Sequence, residues 1–148
     1  MTRLLATIVA SITLIVTGCS STGSPEQTRA ATTVVSQVDP SKVEQLSLTS
    51  LHDAFLNPAI EESQEGKIVD IYGEVIAYEL TEDNRFSVTI SNNNKDALCL
   101  FSDDIASQVG TGRAIYRGAK ITVRGKLGKA GLFSSTPFII DGCAIVNN

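Results

Sequence analysis

The chain has no tryptophan, one methionine, one histidine and three cysteines in 148 residues, and aromatic side chains make up 5% of it. Each scarcity excludes something. Few aromatics leave little capacity for stacking on bases or sugars. His52 is the only histidine, and no serine or free cysteine is placed beside it as nucleophilic catalysis would need. The cysteines show no C-x-x-C spacing and do not combine with the distant histidine into a zinc-ligand set, so neither a metal nor a cofactor is expected. There is no glycine-rich phosphate loop and no internal repeat. The acid pairs Glu61-Glu62, Glu82-Asp83 and Asp103-Asp104 are adjacent in sequence and read as solvated or capping carboxylates. An enzyme is therefore not expected. The formal net charge of −4 argues against general polyanion binding, which depends on Lys and Arg displacing counterions. Long apolar runs are also missing: Leu4 to Val16 would extend only about 20 Å as a helix against a hydrocarbon core of about 30 Å.

What is present at the N-terminus is a single basic residue, Arg3, then that short apolar run, then Val16-Thr17-Gly18-Cys19. This resembles a bacterial lipoprotein signal. The resemblance implies removal of residues 1–18 and acylation, palmitate included, of Cys19, giving a lipid anchor that several acyl chains make effectively permanent. Ser20 stands where an aspartate would imply retention at the inner membrane, so the outer membrane is expected, with the domain facing the periplasm. Loss of the signal removes Arg3 and no acid, leaving a mature chain one unit more acidic.

Residues 19–45 are rich in Ser, Thr, Gln and Ala, with Pro25 and Pro40, and carry only scattered apolar residues such as Val34, Val35 and Val38. They read as a lipidated cysteine and a flexible tether, whose average reach for about 25 residues would be roughly 25 to 30 Å. Residues 46–148 suffice for one domain with one core. Its two cysteines, Cys99 and Cys143, are expected to form a disulfide in an oxidising compartment, closing a loop worth roughly 3 to 4 kcal/mol; the alternative is two buried free thiols.

Within this domain, Ser50-Leu51-His52-Asp53 opens like a helix cap, and Asn57-Pro58 could cap a second short helix ending at Gly66. The apolar period then changes to two. Lys67 to Tyr78 reads as a long strand with a bulge or bend at Gly73, followed by strands over Arg85–Ser91 and Ala97–Phe101 separated by the turn Asn92-Asn93-Asn94. Ser102-Asp103-Asp104 caps a short helical segment carrying Ile105 and Val109. Lys120–Leu127 and Phe138–Val146 complete five strands. Three strands, a helical insert and two more strands is the order of a mainly β, five-stranded OB-fold Greek-key barrel with a helical preface. That topology would set the Cys99 and Cys143 strands side by side.

Gly66-Lys67, Val69-x-Ile71-x-Gly73-x-Val75, Cys99-Leu100-Phe101, Arg117 to Gly125 and Cys143-Ala144-Ile145-Val146 together resemble the tRNA_anti-like group of OB-fold proteins, many of them bacterial lipoproteins. The resemblance covers roughly Leu51 to Val146 and implies the fold; it supplies no catalytic residue and implies no tRNA binding outside the cytoplasm. OB-folds bind oligonucleotides or oligosaccharides across their second and third strands and the two loops beside them. The candidates for such a face are Tyr72, Tyr78, Arg85, Arg124, Lys126 and Phe133. Six basic residues against three acids between Phe101 and Asn148 give the C-terminal part a local positive balance. The function expected is a non-catalytic, membrane-anchored binding or adapter module with an envelope protein as partner, contacted through the loop Gly128 to Thr136 with Leu132 and Phe133. The alternative is an oligonucleotide- or oligosaccharide-binding protein.

Overall fold

The structure, a computed structural model, describes residues 23–131 and 134–146. The signal segment with Cys19, and Leu132 with Phe133, lie outside the described residues.

Alternation of period two builds the five barrel strands: β2 (Ile68–Leu80), β3 (Phe86–Asn92), β4 (Lys95–Phe101), β5 (Lys120–Lys129) and β6 (Phe138–Val146). They pair in the order β2-β3-β4-β6-β5, and a further β2–β5 pairing closes the barrel. Inward-facing Val69, Ile71, Val75, Val88, Ile90, Phe101, Val123, Phe138 and Ile140 are fully buried and fill the interior. The long strand serves both sheets. Residues 68–74 of β2 pair with β5 and residues 74–80 with β3. Gly73 sits at the change of partner, where a Cβ would stand 3.1 Å from Ile90 Cβ and 3.2 Å from the Ser91 carbonyl. The bulge expected at Gly73 lies slightly later, between Val75 and Ala77; Gly73 provides close approach instead. Asn93 and Asn94, with φ of 52° and 58°, make the two-residue hairpin turn between β3 and β4.

One barrel end is plugged by α2 (Leu48–Phe55), whose Leu48, Leu51 and Phe55 are buried. Each such burial contributes about 1.5 to 3 kcal/mol. Phe55 packs on Phe138 with centroids 5.1 Å apart, and His52 meets the same ring edge-on at 5.3 Å. His52 Nε2 also donates to the Asp96 carbonyl at 2.7 Å, so the single histidine has a packing role. The cap of α2 is Ser47, whose hydroxyl accepts from Ser50 N at 3.0 Å, three residues before the expected cap. Asn57 caps α3 (Pro58–Gln64) as expected. The insert between β4 and β5 is a short 3-10 helix, Asp103–Gln108, burying Ile105; the Ser102 hydroxyl bonds to the Asp104 carboxylate and caps no backbone group.

The main departure from expectation lies in the stretch read as a flexible tether. Residues Pro25–Gln37 form a helix, α1, opened by a capping box in which Ser24 and Gln27 satisfy each other's backbone N–H groups. Thr28, Ala31 and Val35, at spacings of three and four, are buried against the barrel. The helix packs chiefly on β6 and also touches β5 and β4. Gly142 permits this: with φ of 63°, it lets the Ala31 carbonyl carbon and Thr32 nitrogen come within 2.4 Å of where a Cβ would stand. A three-residue strand, β1 (Glu44–Leu46), then runs parallel to β2 with Glu44 opposite Val69 and Leu46 opposite Ile71. The folded unit thus reaches back to Ser24, beyond the boundary at residue 46.

Cys99 and Cys143 are both buried as free thiols. Their strands are neighbours, as the topology required, with Cys99 opposite Ile140 in the register and its thiol beside that of Cys143. The Cys143 thiol donates to the Ile140 carbonyl at 3.2 Å. Burial, then the adjacent Cys99 thiol, pushes its pKa well above the ordinary thiol value. Among the described residues no helix is long and apolar enough to cross a membrane.

Candidate binding face

Three cross-strand pairs run down the outer surface of β2 and β5: Asp70 opposite Arg124, Tyr72 opposite Thr122, and Glu74 opposite Lys120. Alternation places all six on one face because they occupy every second position of each strand. Arg124 is held by Asp70 through two bonds, Nε to Oδ1 at 2.7 Å and Nη2 to Oδ2 at 2.8 Å. This bidentate pair is nearly buried, with side-chain exposures of 14% and 7%. The hydrogen bonds that Arg124 donates to Asp70 raise its pKa, against burial, which lowers it.

Tyr72 is 50% exposed and stands at the meeting point of three adjoining depressions of about 610, 570 and 320 Å³. The first is walled by β1, with Gln45 and Ser47 on one side and the Asp70–Arg124 pair on its floor. The second runs past Asn92 to the β3–β4 turn, and the third past Thr122 to Val146. Asn92 Nδ2 donates to the Tyr72 carbonyl at 3.3 Å, and its amide oxygen has no hydrogen-bond donor among the described residues. Volumes of this order suit small ligands or segments of an oligomer.

Comparison with known proteins bears on the scaffold. No family model matches the chain, and no curated protein matches it in sequence. Solved structures do match. A "putative nucleic acid-binding lipoprotein" from Klebsiella pneumoniae superposes with a TM-score of 0.59 at 18% identity, covering 75% of this chain and all of that one. This chain has the OB fold. An asparaginyl-tRNA synthetase from Pyrococcus horikoshii also aligns, at 14% identity and a TM-score of 0.44, over 57% of this chain and 21% of that one.

In this OB barrel the second and third barrel strands are β3 and β4, flanked by the loops 81–85 and 130–137. Their outward residues include Ser87, Thr89, Ser91, Asp96, Leu98 and Leu100, among which there is neither an aromatic nor a base. Arg85, expected to meet ligand there, is buried. Its Nε and Nη2 bind the Asp83 carboxylate at 2.6 to 3.1 Å, and its Nη1 donates to Thr28 Oγ1 on α1 at 3.2 Å. Thr28 in turn donates to Asp141 Oδ1 at 2.7 Å. Arg85 therefore ties the first loop to the N-terminal helix. Tyr78, past the bulge, lines a separate depression of about 150 Å³ with Ser87 and Thr89. Lys126 is exposed beside α1, in yet another depression, and does not join Arg124.

Of the residues expected on one binding face, Tyr72 and Arg124 share a groove, whereas Tyr78, Arg85 and Lys126 lie elsewhere. Asp70, Asn92 and Gln45 went unrecognised. The sequence signal for Asp70 was available in its alternation with Val69 and Ile71, but its partner is 54 positions away.

Proposed function

We propose that this chain is a non-catalytic binding module of the bacterial cell envelope, held at the outer membrane by acyl chains on Cys19 and offering the Tyr72 groove to the periplasm. The observation that carries the binding part is the Asp70–Arg124 pair. A bidentate ion pair fixed in the floor of an open groove presents planar hydrogen-bonding groups at set positions, which is how a recognition surface is preorganised. The anchoring part rests on Val16-Thr17-Gly18-Cys19 and Ser20, and the Klebsiella protein of like fold is itself named a lipoprotein. Membership of the tRNA_anti-like group is the family reading that goes with this function.

Expression in a Gram-negative host with an alkyne analogue of palmitate tests the anchor. The wild-type chain is expected to take up the label and sediment with outer membranes, and Cys19→Ala to lose both. Equal labelling of the two proteins would refute the anchor.

A further inference from the structure

The Tyr72 groove has a charge pattern that selects among OB ligands. Along β2 and β5 an exposed aromatic ring and its hydroxyl-bearing neighbour, Thr122, lie between two acid–base pairs, Asp70 with Arg124 and Glu74 with Lys120. The face therefore has no net charge. A nucleic-acid strand needs a positive track for its phosphates as well as a ring to stack on. Here each base is matched by a carboxylate directly across the strand pair, and the Arg124 guanidinium already spends two donors on Asp70. A phosphate approaching Arg124 would meet Asp70 as well.

A neutral, hydroxyl-rich chain meets the same surface without that conflict. A pyranose offers a C–H face that packs on an aromatic ring, and vicinal hydroxyls that both donate and accept. Arg124 keeps guanidinium donors beyond the two given to Asp70, Tyr72 and Thr122 carry hydroxyls, and Asn92 has an amide oxygen without a donor among the described residues. The three depressions are contiguous at Tyr72, so the groove accommodates several linked units with the ring under a central one. We propose that this groove, on the outer face of β2 and β5 and away from the β3–β4 surface, is a subsite for a neutral oligosaccharide, with Tyr72 as its stacking platform. The inference rests on the binding-module reading but not on the anchor, whose test is separate.

Full-length protein in detergent, titrated calorimetrically with hexa-N-acetylchitohexaose, cellohexaose and an oligothymidylate, decides it. Binding of at least one hexasaccharide with Kd below about 1 mM is expected, unchanged within about twofold between roughly 50 and 500 mM salt. Tyr72→Ala is expected to weaken it about tenfold or more, Tyr72→Phe to retain it, and Tyr78→Ala to leave it intact, with thermal unfolding of each variant confirming the fold. No binding of either hexasaccharide, binding indifferent to Tyr72→Ala, loss on Tyr78→Ala, or binding of the oligothymidylate alone with steep salt dependence would each overturn the proposal.

Discussion

Removing the carboxylate of Asp70 tests whether the groove floor is a structural element. Breaking a fully buried ion pair costs about 3 to 5 kcal/mol because the remaining charge is stranded, whereas exposed pairs contribute about 0 to 1 kcal/mol. Side-chain exposures of 14% for Arg124 and 7% for Asp70 place this pair near the buried limit, but it borders an open groove through which water can reach the orphaned guanidinium. Asp70→Ala is therefore expected to cost about 2 to 3 kcal/mol, lowering Tm by about 10 °C for a domain of this size. The double variant Asp70→Leu with Arg124→Met removes both charges and should lie within about 1 kcal/mol of wild type. With no tryptophan to report unfolding, urea denaturation followed by far-ultraviolet circular dichroism is the suitable assay. A loss below about 0.5 kcal/mol in Asp70→Ala, or a double variant as unstable as the sum of the single ones, would refute the reasoning.

Two other perturbations probe different parts of the molecule. Gly142→Ala places a Cβ 2.4 Å from the backbone of Ala31 and Thr32 at a φ of 63°, adding about 1 to 2 kcal/mol of backbone strain to about 1 to 3 kcal/mol of overpacking; hydrogen exchange should show protection lost over residues 25–37 while the barrel strands keep theirs, and unchanged protection in α1 would contradict the docking described. Hydrogen bonds from Arg85, then from Thr81, hold the Asp83 carboxyl down at about 2 against an ordinary 3.8, so its contribution to stability is fully present above pH 3.8 and is lost as pH falls through about 2; urea midpoints across that window should fall less steeply for Asp83→Asn, and identical slopes would remove the assignment.

The barrel was legible because its signal is local. Val69, Ile71 and Val75 in β2 and Ile121, Val123 and Leu127 in β5 alternate with polar neighbours, and Asn93-Asn94 marks its hairpin without reference to the rest of the chain. Helix α1 was not, although Ser24 and Gln27 spell a capping box. Its buried stripe consists of Thr28, Ala31 and Val35, too small and too polar to register as an apolar period. What docks it is Gly142, more than a hundred positions away. The partners of the candidate binding residues were hidden for a related reason. Arg85 and Arg124 were read as candidates for a binding face because the tie from Arg85 to Thr28 spans 57 positions and that from Arg124 to Asp70 spans 54. Tyr72 was legible as an exposed strand aromatic, and the bulge between Val75 and Ala77 is what separates it from Tyr78.

The early start of α1 also sets the reach of the molecule. Were residues 19–45 all flexible, the domain would roam a shell tens of ångströms deep above its anchor. With Ser24 already capping a docked helix, only five residue steps separate it from Cys19, at most about 18 Å of chain. An acylated Cys19 would therefore moor the barrel against the lipid headgroups on a short leash, sampling only what passes along the membrane surface. Whatever enters the Tyr72 groove would have to come to the bilayer to be held.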